Sequence, residues 1–140
     1  MANLAAVVGI GQTKYTTKRL DVSIAGLVRE AAVNALQDAD LTWNDIDAVI
    51  LGKAPDMFEG VIMPEAYLTD ALGCNGKPML RVHTAGSVGG STALVAASHV
   101  QSGMFRRVLT VTFEKQSESN AMWALSTPQP FSVHLNAGAG

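Results

Sequence analysis

Charge is scarce in this chain. Only 16% of its 140 residues are Asp, Glu, Lys or Arg, against about 25% in an ordinary globular domain. So few ionised groups cannot easily solvate the whole surface of a small domain. Part of that surface is expected to be covered by another chain, or by more of the same protein. An excess of cations is missing too, with Lys+Arg 10 against Asp+Glu 12 and a net charge of -2. Neutralising phosphates needs clustered positive charge, so a nucleic-acid binder held by bulk charge is excluded.

Cysteine is reduced to Cys74. One thiol makes neither an internal disulfide nor a zinc cluster, and it fits a reducing compartment. His83, His99 and His134 are too scattered for metal-ligand spacing, so no metal is expected. The start, MANLAAVVGIGQT, has no basic stretch before its apolar run and makes a poor signal peptide. That run is also shorter than the roughly 20 residues that span a bilayer. The expectation is a soluble, cytoplasmic protein with no membrane span.

Apolar residues are abundant, at 48%, which favours a packed core over disorder and fits one domain. Residues 4–10 form a valine-rich run closed by Gly9 and Gly11, and read as a buried strand. The polar stretch QTKYTTKRLDV reads as a loop. From Ser23 the period changes: Ile24, Leu27, Val28, Ala31, Ala35 and Leu36 recur at helical steps, predicting an amphipathic helix capped by Ser23 and ending near Asp40. A capped turn at 42–45 leads to a second strand at 47–52. Pro64 opens a short helix running to Leu72. MLRVH at 79–83 is a third strand. A glycine-rich turn, AGSVGGS, precedes a helix over 92–101 closed by Gly103, and VLTVTF is a fourth strand. Strands alternating with helices predict an α/β fold, a mostly parallel sheet with crossover helices. From Glu114 onward this rhythm is lost, and the ending AGAG looks like a chain interrupted before another element.

GIGQTK, residues 9–14, invites a dinucleotide fingerprint. The third glycine is replaced by Lys14 and no helix opens at once, so a strand-terminal turn is the better reading. Cys74 lies in a turn with no base near it in sequence and reads as structural. His99 reads as a surface or partly buried position of the second amphipathic helix. The informative segment is 82–94, VHTAGSVGGSTAL. A buried strand runs through a tight turn into a helix whose first N–H groups are unpaired and partly positive. Ser87 sits in that turn, and His83 ends the strand beside it. Two readings stay open. Gly86, Gly89 and Gly90 allow a close approach and the helix start receives a thioester oxyanion, or the glycines serve packing alone and Ser87 caps the helix.

This segment resembles the N-terminal part of the thiolase superfamily, in its sterol-carrier-type thiolase and lipid-transfer-protein-like branch. VVGIGQTKY is similar to the first strand and loop there, and DIDAVILG to the second strand. VHTAGSVGGSTALVAASHVQSG is similar to the nucleophile turn and central helix, and VLTVTFEKQSE to the next strand and its Glu-containing turn. The resemblance implies a thiolase-like layered fold, of which residues 1–140 are the N-terminal part and the C-terminal half is absent. It implies an acyl-CoA thioester as substrate, with no other cofactor, and a homo-oligomer. Ser87 falls at the nucleophile position counted from Leu94, and Gly86 counted from the strand; neither is the cysteine a thiolase needs. TAGSV fits better the cysteine-less steroid side-chain aldolases, which cleave a β-hydroxyacyl-CoA by a retro-aldol step with an OB-fold partner protein. On that reading Ser87, the candidate catalytic residue, borders the thioester pocket with the nearby backbone N–H groups, and His83, Gly86, Gly89 and Gly90 shape it and bind substrate. Two alternatives remain: ordinary acyl transfer in the thiolase sense, and a non-catalytic acyl-CoA or lipid-binding subunit.

Overall fold

The computed structural model describes residues 4–54 and 60–118. Three strands, β1 (Ala48–Gly52), β2 (Met79–Val82) and β3 (Val108–Thr112), form one parallel sheet in the order β2-β1-β3. Val49 stands opposite Met79 on one side and Leu109 on the other. The central strand AVILG is buried throughout, as a strand with neighbours on both edges and cover on both faces must be.

One face of the sheet packs on α1 (Ile24–Asp38). Val49, Leu51, Leu109 and Val111 meet Val28, Ala32 and Leu36 there, with Ile46, Leu68, Leu72 and Cys74 completing the core. Helix α1 starts where the sequence places it, because the Ser23 hydroxyl accepts the Gly26 N–H at 3.1 Å. The opposite face carries α3 (Val88–Gln101), which leads from β2 to β3. It comes so close at Gly52 that an added Cβ would run into the Thr92 hydroxyl, while Thr112 Cγ2 of the neighbouring β3 would lie 2.8 Å away. The carboxylate of Asp47, just before β1, accepts the N–H groups of Arg106 (2.8 Å) and Arg107 (2.9 Å), just before β3. This ties the leading ends of the two strands together. Those two N–H bonds hold the Asp47 carboxyl below its ordinary pKa.

Residues 4–10 are not a strand. Leu4, Val7, Val8 and Ile10 are exposed, and the stretch belongs to no sheet. Its backbone is drawn to α1 instead: the Ile10 N–H donates to Asp38 at 2.9 Å, and Asn34 donates to the Gln12 carbonyl at 3.2 Å. Gly9 and Gly11 press on the helix backbone, and a Cβ on Gly9 would lie 2.6 Å from the Ala35 carbonyl oxygen. The two glycines therefore serve a close approach to a helix, not the end of a strand. This stretch, α1, α3 and β3 together line a largely apolar cleft of about 680 Å³.

Two helix boundaries also differ from the periodicity. The helix opened by Pro64, α2, spans only Pro64–Tyr67 and gives way to turns before Leu72. Helix α3 begins at Val88, not Thr92, so Gly89 and Gly90 lie in its first turn. At 42–45 the predicted turn is present, with the Thr42 N–H and hydroxyl both donating to the Asp45 carboxylate. Cys74 is a core residue, and burial pushes its thiol up from its ordinary pKa.

Gly52→Ala should destabilise the fold by about 1–3 kcal/mol through overpacking. Gly89→Ala, where a Cβ meets nothing within 4 Å, should leave stability unchanged or raise it by up to about 1 kcal/mol. Urea unfolding of both variants checks the contrast. The depressed folded pKa of Asp47 means that its contribution is present above the unfolded carboxyl pKa, about 3.9, and is lost as pH falls through the lower folded value. Asp47→Asn should therefore lose more stability at pH 7 than at pH 3, read as the shift in urea midpoint at each pH.

Candidate functional site

Parallel α/β sheets present ligands at the carboxyl ends of their strands. Here that edge gathers Lys53 after β1, His83 and Thr84 after β2, and Phe113 and Glu114 after β3. From β2 the chain passes through a single 3-10 turn, Ala85–Ser87, into α3. The sharp change of direction is made at Ala85, whose φ of 48° is left-handed. An L-residue there costs about 1–2 kcal/mol, and such strain gathers at functional turns. The reversal therefore needs no glycine.

Ser87 occupies the cap position of α3 but does not cap it. Its hydroxyl donates to the Thr84 carbonyl at 2.8 Å, beside its own N–H at 3.2 Å. Gly89 and Gly90 are exposed, and a Cβ on either would meet nothing within 4 Å. They neither pack the helix on the sheet nor make a close approach within the described chain. Instead they leave two consecutive positions of the first turn of a 14-residue helix, between Val88 and Ser91, without side chains at its partly positive end. Gly86 is exposed within the turn, and His83 is exposed just before it. Thr84 Oγ1 donates to Ser91 Oγ at 2.8 Å, joining the turn to the next turn of α3. Among the described residues, the hydrogen bonds of Ser87 reach no histidine or carboxylate.

Under this edge lies an ion pair that the sequence reading did not single out. Lys53 is fully buried, with its ammonium 3.7 Å from Glu114 Oε2 and 5.9 Å from the centre of the Phe113 ring. The other Glu114 oxygen accepts the Ala54 N–H. A charge so deep is tolerated only when it is matched, and the pair joins the ends of β1 and β3 below the level of the turn. Its signal was a lysine immediately after a wholly apolar strand, facing the Phe113-Glu114-Lys115 end of another.

Cys74 is buried in the core, away from the turn. His99 is a half-buried position of α3; its Nδ1 lies 2.7 Å from the Val95 carbonyl and its ring stacks on Phe105. His134 and the arrhythmic tail beyond Glu118 lie outside the described residues. GIGQTK leads into coil rather than a helix, as the missing third glycine indicates. Among the described residues no three His, Cys, Asp or Glu side chains come together as a metal site, and no helix is long and apolar enough to cross a membrane.

No protein-family profile matches the chain. It is 29% identical over 117 residues to an acetyl-CoA acetyltransferase of Methanothermobacter thermautotrophicus, covering 81% of this chain and 30% of that protein. It is 37% identical over 91 residues to the chloroplastic β-ketoacyl-[acyl-carrier-protein] synthase III of Arabidopsis thaliana, covering 64% of this chain and 22% of the other. Among solved structures, it superposes on the priming β-ketosynthase of a polyketide pathway with a TM-score of 0.66 at 20% identity, over 81% of this chain and 42% of that one. The 3-oxoacyl-[acyl-carrier-protein] synthase III of Aquifex aeolicus gives 0.61 at 24% identity, over 72% of this chain and 32% of the other. The chain thus spans about a third or less of the length of the curated relatives it matches. Its parallel sheet, layered between helices, is a thiolase-like α/β fold, shared with acyltransferases and condensing enzymes.

Proposed function

We propose that this chain supplies the thioester-binding floor of an acyl-CoA enzyme that cleaves a β-hydroxyacyl-CoA by a retro-aldol reaction. The observation that carries the reading is the state of Ser87. Its hydroxyl is spent on the Thr84 carbonyl and touches no base among the described residues. Serine is a weak nucleophile unless a base activates it. The glycine-rich first turn of α3 beside it suits an oxyanion.

Retro-aldol cleavage needs the second property and not the first. A base removes the proton of the β-hydroxyl, and the C–O bond becomes a carbonyl as the bond between Cα and Cβ breaks. The released pair moves onto the thioester as an enolate, and protonation at Cα gives a shortened acyl-CoA beside an aldehyde or ketone. Beyond Val88, whose own N–H is bonded to the Ala85 carbonyl, N–H groups in the first turn of α3 stabilise the enolate oxygen, with His83, Gly86, Gly89 and Gly90 bordering it. The resemblance assigns the proton-transferring groups to the C-terminal half of such enzymes. It also suggests a lipid or steroid side chain as the acyl group, and the OB-fold partner rests on it alone. Self-association has support of another kind. Among the described residues β2 is an edge strand with Leu80 exposed, and Ile62, Met63 and Tyr67 are exposed in the segment that packs near it.

Acyl transfer through Ser87 is the second reading, favoured by the acyltransferase and condensing-enzyme likenesses. The full-length protein should be incubated with a β-hydroxyacyl-CoA and, separately, with a β-ketoacyl-CoA plus free CoA. Retro-aldol chemistry predicts cleavage of the first alone, with Ser87→Ala keeping the rate within about tenfold. Thiolytic cleavage of the second, lowered by 10² or more in Ser87→Ala, would replace it with acyl transfer.

A further inference from the structure

The first twenty residues contain no Asp or Glu, yet Lys14, Lys18 and Arg19 place three of the chain's 10 cations within one short loop. Arg19 is already committed. It donates to Asp21 at 2.9 Å and to Glu30 at 2.9 Å, and these hydrogen bonds raise its pKa further. Lys14 and Lys18 are exposed, and neither forms an ion pair or a hydrogen bond among the described residues. Between them stands Tyr15, 89% exposed, a large aromatic ring that the fold does not bury. Gln12, Thr13 and Tyr15 form one wall of a cavity of about 230 Å³ whose other walls include Thr112, Phe113 and Glu114 at the carboxyl end of β3. Lys53 meets the Glu114 charge from inside the fold.

We infer that this loop holds the phosphorylated nucleotide end of a coenzyme A thioester, with Lys14 and Lys18 on its phosphates and the Tyr15 ring against its adenine. The inference rests on the acyl-CoA reading above and extends it to the far end of the same substrate. Two flexible ammonium groups suit a polyanion that is bound at the surface and partly hydrated, and an exposed aromatic ring offers a stacking face to a base. The placement agrees. The loop flanks the end of β3 while the Ser87 turn follows β2, and β1 lies between. At about 4.8 Å per strand the two sites are offset by on the order of 10 Å along the sheet, with the loop toward the α1 face and the turn leading into α3 on the other, so the pantetheine arm passes over the carboxyl ends of the strands.

Calorimetric titration of the full-length protein with an acyl-CoA, and with the same acyl group on pantetheine, tests this. In Lys14→Glu/Lys18→Glu the affinity for acyl-CoA should fall about tenfold or more, while that for acyl-pantetheine stays unchanged and so reports an intact fold. Tyr15→Ala should weaken acyl-CoA alone in the same way. Equal acyl-CoA affinity in wild type and the lysine variant would overturn the loop assignment and leave the acyl-CoA reading standing. Parallel loss of both ligands would also overturn it, as general damage. Competition by inorganic phosphate as strong as by adenosine 3′,5′-bisphosphate would overturn it as non-specific anion contact. Failure of wild type to bind either thioester would sink the acyl-CoA reading and the loop assignment with it.

Discussion

The fold depends on the complete desolvation of β1. Ala48, Val49, Ile50 and Leu51 have no exposed surface, so every backbone polar group of that strand must be paired within the protein. Register with β2 on one side and β3 on the other does this. The remaining demands follow from the same burial. Side chains at Val49 and Leu51 need α1, Gly52 must stay bare for α3 to close over the sheet, and Lys53 at the strand end must find Glu114. Asp47 fixes the other end by accepting two N–H groups from the chain entering β3. The strand is thus held at both ends by carboxylates and along its length by apolar contact.

The candidate site inherits this rigidity at one edge and departs from it at the turn. Ala85 is in a backbone conformation that its side chain disfavours, and it is held there by a strand below and a 14-residue helix above. Beyond it, Gly89 and Gly90 keep the helix start clear. Small residues here do not relieve crowding inside the described chain. The proposed reading of the turn as an anion site rests on the partial positive charge at the start of α3.

Much of the organisation was legible in sequence because it is local. Helical periodicity and the Ser23 cap fix α1 within its first turn, and the apolar run before Gly52 marks β1. The change of period at AGSVGGS located the turn, although α3 starts four residues earlier than its apolar pattern. Gly89 and Gly90 hid that start, since glycine contributes no periodicity and weakens any helix it joins. Residues 4–10 depart from their sequence pattern for a different reason. A valine-rich run satisfies the pattern of a buried strand, but pattern does not say which hydrogen-bonding edge is free. Asp38 and Asn34 on α1 supply partners for residues 10–12 that no local signal announces.

The amino-acid sequence by itself determined the α/β class, the inward faces of α1 and β1, the structural place of Cys74, and the position of the strand–turn–helix that carries Ser87. These are consequences of spacing along the chain, where neighbours are fixed by covalent geometry. Tertiary structure alone decided that Lys53 meets Glu114, that Ser87 donates to Thr84 and does not cap α3, and that Gly9 and Gly11 lie against a helix. Each of these joins an atom to a partner chosen by how the layers pack. Packing is settled by the simultaneous burial of many side chains, so no single stretch of sequence records it.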